Sequence, residues 1–186
     1  IFLLAPWPFE SKARAVMHGL CAQTPSHSFY FGDRALPFDG RMTGIYGGLL
    51  VTVIVLVLLG RHRAAGVPSI ATSVVLLLFG AAMAIDGFNS LLTDLDRWHP
   101  YTPSNEHRLL TGWMAGVGIG VVLVMLIGMT VWSRPRTKER VLSRWSMPIV
   151  LVLPVIPMRM LIGTGSELVY YPLSFFLMAS AVMAFT

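Results

Sequence analysis

The sequence predicts an all-α fold, a polytopic bundle of about five transmembrane helices with its N-terminus outside the cytoplasm and its C-terminus inside. Three observations predict it. Hydrophobic residues make up 55% of the 186 residues and charged residues only 12%, whereas soluble domains carry roughly 25% charged residues. Five long apolar stretches follow one another along the chain. Lysine and arginine are concentrated in two of the connections between them.

The apolar stretches predict the helices. A bilayer core about 30 Å thick requires about 20 apolar residues per helix, and lipid offers backbone groups no hydrogen-bonding partner, so each stretch is expected to be helical. They cover residues 43–60, 68–92, 109–132, 145–163 and 168–186. Three prolines, Pro148, Pro154 and Pro157, are expected to bend the fourth helix.

The placement of lysine and arginine predicts the orientation. The connections after the first and third stretches contain seven lysines and arginines and one acid, Glu139. The rest of the chain contains seven lysines and arginines and eight acids. Because cytoplasmic loops carry the excess of positive charge, both basic connections are placed in the cytoplasm. The net charge of +5 therefore reflects membrane topology. We expect a multi-pass protein of the cell membrane (a bacterial or archaeal inner membrane). Its expected partner is the lipid bilayer, and no binding of nucleic acid is expected.

Two regions are predicted from this topology. Residues 1–42 form an extracytoplasmic N-terminal segment, and residues 43–186 form the transmembrane bundle. Within the first region, residues 11–21 (SKARAVMHGLC) are expected to form a short amphipathic helix at the membrane interface. Residues 22–40 contain two prolines and two glycines that break regular structure, so repeated turns are expected there.

Glycines at intervals of four predict close helix packing. They are Gly44 and Gly48 in the first helix, and Gly112, Gly116 and Gly120 in the third. Such a row lacks side chains and lets a second helix backbone approach. The pattern favours packing within the bundle over the alternative, a subunit interface.

The remaining polar residues exclude several cofactors. The five histidines all lie outside the middles of the predicted helices, and both lysines lie outside the helices altogether. A haem ligated at mid-membrane and a retinal-type Schiff base are therefore not expected. The single cysteine excludes an iron–sulfur cluster or a Cys-rich zinc site held by this chain alone. No cofactor is expected.

Polar chemistry concentrates at the extracytoplasmic ends of the helices. Asp86 and Arg159 are the charges that fall within the predicted helices, and Arg41 and Arg108 begin two others. Charges at this depth normally pair or line a polar cavity. The cluster is expected to be a set of salt bridges that lock the helix ends together, and a binding or catalytic cavity is the alternative.

Four ordered motifs resemble those of a known membrane family. They are residues 21–28 (CAQTPSHS), 37–48 (PFDGRMTGIYGG), 86–90 (DGFNS) and 105–116 (NEHRLLTGWMAG). Together they are similar to the hallmarks of the family known as domain of unknown function twenty eighty-five, over residues 17–120. The resemblance implies the membrane architecture and a site made of the matched residues Arg41, Tyr46, Asp86, Asn105 and Arg108.

The chain departs from the family pattern at residues that could bind a metal. Ala22 stands where the family has histidine, and Asp39 stands where it has a second cysteine. No metal site is therefore expected. The candidate ligands that remain are Cys21, His18, His27 and Asp39, whose spacing matches no standard zinc site.

Three functions fit these observations. The sequence favours a non-enzymatic integral membrane subunit that packs with other membrane subunits. The second is an enzyme or binding protein for an anionic amphiphile, whose head group Arg41, Arg108 and Arg159 would clamp. A small-solute transporter is disfavoured because the cytoplasmic halves of the helices are almost wholly apolar.

Overall fold

In the computed structural model, which describes residues 6–132 and 136–185, the chain is mostly helical and carries two small sheets. Arg134 and Thr186 lie outside the described residues. In chain order the elements are α1 Phe9–Met17, β1 Ser28–Phe31, β2 Arg34–Asp39, α2 Gly40–Leu58, β3 Ala64–Gly66, α3 Ile70–Asp94, α4 Asn105–Thr130, β4 Arg136–Arg140, α5 Met147–Val152, α6 Val155–Gly163 and α7 Glu167–Phe185.

Four of the described helices, α2, α3, α4 and α7, are long and apolar enough to cross a membrane. They correspond to the first, second, third and fifth apolar stretches. The fourth stretch is not one helix: α5 ends at Val152 and α6 begins at Val155. Pro154 has no backbone N–H to donate and interrupts the helix. The indole N–H of Trp113 donates to the carbonyl of Leu151, near this break, at 3.0 Å.

Side-chain caps start α2 and α4 earlier than their apolar residues indicate. Asp39 accepts a hydrogen bond from the backbone N–H of Met42, and the hydroxyl of Ser104 accepts one from His107. These caps satisfy backbone donors that the first turn of a helix leaves free. As a result α2 begins three residues, and α4 four residues, before the apolar stretches.

The N-terminal segment is more ordered than the predicted series of turns. Strands β1 and β2 form an antiparallel hairpin whose turn contains Gly32 at a φ of 60°, a conformation that glycine adopts without strain. Phe31 and Phe38 are fully buried. The ring of Phe31 lies 6.0 Å from that of Tyr170 in α7. Helix α1 begins and ends earlier than the predicted residues 11–21, and it packs on β2.

A second, parallel pair lies at the other end of the bundle. Gly66 of β3 pairs with Arg140 of β4, and α3 and α4 together provide the long connection that a parallel pair requires. The all-α prediction missed both sheets.

The bundle is centred on α2 and α4, which pack more extensively than any other pair of elements. A Cβ on Gly44 would overlap the backbone of α4 at Leu109, and one on Gly112 or Gly116 would overlap α2 at Arg41 or Ile45. The absence of these side chains allows the two backbones to touch. Gly48 and Gly120 lie in the same interface, against Trp113 and Thr52.

The bundle therefore has two ends of different composition. We call the end with the hairpin, the start of α2 and the start of α4 the Arg41 end. We call the end with the β3–β4 pair the basic end; its described cations are Arg61, Arg63, Arg136, Lys138, Arg140 and Arg144.

Candidate functional site

The centre of the Arg41 end is an ion pair between α2 and α3. The Arg41 guanidinium donates from Nη2 to Asp86 Oδ2 at 2.7 Å and to the hydroxyl of Ser90 at 3.2 Å. Asp86 and Ser90 are four residues apart and share one face of α3. Asp86 is only 1% exposed, so its charge depends on these partners for stabilisation.

Two further donors complete the environment of Asp86. The hydroxyl of Tyr101, in the connection between α3 and α4, donates to Oδ1 at 2.8 Å. The hydroxyl of Thr111 on α4 lies 2.8 Å from the carbonyl of His107 and 3.3 Å from Oδ2, and it shares its one proton between these two acceptors. Both carboxylate oxygens are therefore engaged, and the network joins three helices and a loop. We call Arg41, Asp86, Ser90, Tyr101 and Thr111 the Asp86 network.

The position of Tyr101 alters its acidity. Burial, the hydrogen bond to Asp86 and the negative charge of that carboxylate raise the pKa of Tyr101 to about 12. The phenol therefore stays protonated at neutral pH and acts as a donor to Asp86.

Asn105 and Arg108 form a second group beside this network. Arg108 is 5% exposed and donates from Nη1 to Asn105 Oδ1 at 3.0 Å. Asn105 in turn donates to the carbonyl of Ser28 at 3.2 Å. This group therefore ties the first turn of α4 to the N-terminal hairpin. Within the described part of the chain, buried Nε atoms of both Arg41 and Arg108 have no hydrogen-bond partner.

Two of the predicted site residues lie elsewhere. Tyr46 is buried and packs on Phe38, with ring centroids 4.7 Å apart. Arg159 is an exposed residue of α6 that pairs with Glu106. Arg41 borders a cavity against α3, and Arg159 borders a different one between α4 and α6. Each of the three arginines of the proposed clamp thus has its own acceptor.

The four candidate metal ligands are not brought together. The Cys21 thiol donates to Asp39 Oδ2 at 3.3 Å, while His27 pairs with Asp94 at 3.6 Å. The described residues contain no group of three His, Cys, Asp or Glu side chains placed to hold a metal ion. Burial raises the pKa of the Cys21 thiol, which makes the thiolate that a metal or an electrophile requires less accessible.

Sequence reasoning missed Tyr101, Ser90 and Thr111 as members of the network. Thr111 had a signal, since Asn105, Arg108 and Thr111 follow at intervals of three and share a helix face. Ser90 had one too, four residues after Asp86. Tyr101 had none, because the fold of a loop decides which helix its side chain reaches.

Comparison with known proteins identifies a family. The family described as "Predicted membrane protein (DUF2085)" matches residues 21–122, which is more than half of the chain. The chain belongs to this family. A search of the curated proteins and a search of the solved structures found no match to this chain.

Membership in DUF2085 confirms the resemblance read from the four motifs and agrees with a multi-pass membrane protein. The matched range runs from Cys21 into α4 and contains the whole Asp86 network together with Asn105 and Arg108. Helices α5, α6 and α7, with Arg159, lie outside it.

Proposed function

We propose that this DUF2085 protein is a non-catalytic integral membrane subunit of a larger membrane complex, with the Asp86 network as a structural lock. It crosses the cell membrane five times, with α5 and α6 together as the fourth crossing. The Arg41 end faces away from the cytoplasm and the C-terminus lies inside. Its partners are the lipid bilayer and other membrane subunits.

The engagement of Asp86 supports a structural role for the network. The carboxylate accepts a hydrogen bond from Tyr101 on one oxygen and from Arg41 on the other, where the shared Thr111 proton also lies. A general base needs a lone pair directed at a substrate. The network also links elements far apart in sequence. These properties suit a lock between helices better than a reaction centre.

The observation that carries the subunit proposal is the exposure of α3. Only 17% of its most apolar segment is buried, against 44% in α2 and 39% in α4, and it packs chiefly on α4. Its free side includes small residues, among them Gly80, Ala84 and Gly87, which border a cavity of about 440 Å³. Small residues on a membrane helix favour close approach by another helix. We infer that a partner helix covers the half of this side nearer the Arg41 end, where Ala84 and Gly87 lie.

The charge of the two ends supports the orientation. Six described cations lie at the basic end, where Glu139 is the acidic residue. The positive-inside tendency places this end in the cytoplasm. It follows that the hairpin and the Asp86 network lie at the opposite surface.

A photo-cross-linking experiment tests the partner surface. A photoreactive amino acid is placed at Ala84 of α3 or, as the control, at Ala179 of α7, which is also exposed, and native membranes are irradiated. We expect one discrete protein adduct from position 84 and lipid adducts from position 179. Lipid adducts alone at both positions would contradict a partner on α3.

One cavity favours a second candidate function, the binding of an anionic amphiphile. It has a volume of about 390 Å³, with Glu106, His107 and Arg159 on its polar side and α4 and α6 side chains on its apolar side. Under this alternative Arg159→Gln lowers binding of a fatty-acid probe at least fivefold, and Arg97→Gln, the removal of an exposed charge outside this cavity, does not.

A further inference from the structure

An apolar groove runs along the outside of α3 and α4 in the half of the bundle nearer the basic end. It has a volume of about 640 Å³, begins at Pro68 and ends at Gly80 on α3, and covers residues 115–126 of α4. A side chain added at Gly80 or Gly118 would meet open space. The groove is therefore a depression in the outer surface of the bundle.

The length of the groove suits an acyl chain. At 1.5 Å per residue, residues 115–126 extend for about 17 Å. This is close to the thickness of one leaflet, about half of a 30 Å hydrocarbon core. On α3 the groove stops at Gly80, near the midpoint of the helix, and the side proposed for a partner helix continues from there towards the Arg41 end.

The groove opens beside a basic strand. Pro68 follows Gly66 of β3 by two residues, and Gly66 pairs with Arg140 of β4. Lys138 and Arg140 are both exposed, lie two residues apart and so share a face of the strand. Neither has a carboxylate partner among the described residues, whereas Arg61 and Arg136 both pair with Glu139.

A tryptophan–arginine stack adds an interfacial anchor at the same end. The Arg63 guanidinium lies 4.3 Å from the ring centre of Trp132, and the Trp132 indole donates to the carbonyl of His62 at 3.1 Å. Tryptophan rings settle at the level of lipid head groups. The β3–β4 pair therefore lies where phosphates would meet its free cations.

We propose that this groove is a binding site for an anionic phospholipid. One acyl chain lies between α3 and α4, and the phosphate is held by Lys138 and Arg140. The free cations at the mouth of the groove and its one-leaflet length favour a phospholipid here, beside the half of α3 where the partner helix is proposed. The site lies at the opposite end of the bundle from the Asp86 network and does not depend on the proposed subunit function.

Native mass spectrometry of the purified full-length protein tests this site, with phosphatidylglycerol and phosphatidylcholine of identical acyl chains added in equal amounts. We expect phosphatidylglycerol to be retained in preference. The double variant Lys138→Gln/Arg140→Gln should lose most of that preference, by about fivefold for each charge removed. The matched variant Arg14→Gln/Arg97→Gln, which removes two charges at the Arg41 end, should keep it.

A second pair of variants tests the groove itself. Gly118→Leu fills the groove and should reduce retention of both lipids, whereas Gly163→Leu, at another glycine with open space around it, should not. The melting temperature of each variant verifies that it is folded. Equal retention of the two lipids by the wild type, equal losses in both charge variants, or no effect of Gly118→Leu would overturn the proposal.

Discussion

Asp86 and Arg41 form an ion pair in which the carboxylate is almost fully buried and the guanidinium is partly exposed. The Asp86 side chain is 2% exposed and that of Arg41 is 23% exposed. Arg159 and Glu106 form a pair of the same chemical type whose side chains are 62% and 58% exposed. Removing one partner lowers the free energy of unfolding more for a buried ion pair than for an exposed one. These two pairs allow a direct comparison of that loss.

Asp86→Leu should lower the free energy of unfolding by about 3 kcal/mol, because it leaves the Arg41 charge without its partner in a poorly hydrated site. Arg159→Leu should cost less than about 1 kcal/mol, because both members of its pair are exposed. Denaturation in mixed micelles measures both values. Equal effects would show that Asp86 does not lock the helices.

Tyr101 predicts an alkaline loss of stability. Its pKa is raised from 10.0 to about 12, so the folded protein holds this proton more tightly than the unfolded chain does. The stabilisation is complete below pH 10 and is lost as the pH rises towards 12. The stability advantage of the wild type over Tyr101→Phe should therefore shrink across this interval. An advantage that is constant from pH 8 to 12 would contradict the assigned contact.

The residues of the site were predictable to different degrees. Three residues of the site stood out in the sequence: Arg41, Asp86 and Arg108. Charged residues are rare in or next to apolar stretches, and these three lie at similar predicted depth in the membrane. The sequence did not indicate which charges would pair: Asp86 binds Arg41, and Arg159 binds Glu106. Pairing depends on how each helix is rotated about its axis. Hydropathy and spacing leave that rotation undetermined.

The α2–α4 contact gives a prediction about glycine rows. A Cβ on Gly116 would overlap the Ile45 carbonyl of α2, whereas one on Gly118 would meet nothing. Gly116→Ala should therefore destabilise the bundle by about 2 kcal/mol through overpacking. Gly118→Ala should be neutral or stabilise it by up to about 1 kcal/mol, since alanine is the better helix former. Thermal unfolding in detergent separates them; equal stabilities would contradict the close backbone contact between α2 and α4.

Among the elements, long apolar helices were the most predictable and short strands the least. Four helices match apolar stretches because lipid leaves the backbone no alternative. The hairpin was missed because Pro25, Gly32 and Pro37 resemble loop residues. In the folded chain Gly32 makes its turn and Phe31 and Phe38 are buried. The β3–β4 pair joins segments about 70 residues apart, so no local pattern indicates it.

For the molecule as a whole, the sequence predicted a membrane bundle and the family, and both are supported by the four long helices and by the DUF2085 match. The two ends have different chemistry: a buried polar network lies at one, and exposed cations of the β4 strand lie at the other. Between them α3 is covered mainly by α4. Because α3 is so little buried within this chain, we propose that it packs against another membrane subunit.

The native mass of the protein extracted from its own membranes in mild detergent tests that assembly most directly. We expect to recover this chain together with at least one other membrane subunit in fixed stoichiometry. We also expect Ala84→Trp on α3 to release the partner, and Ala179→Trp on α7 to leave it bound. A chain that is recovered alone, or only with copies of itself, would contradict the account.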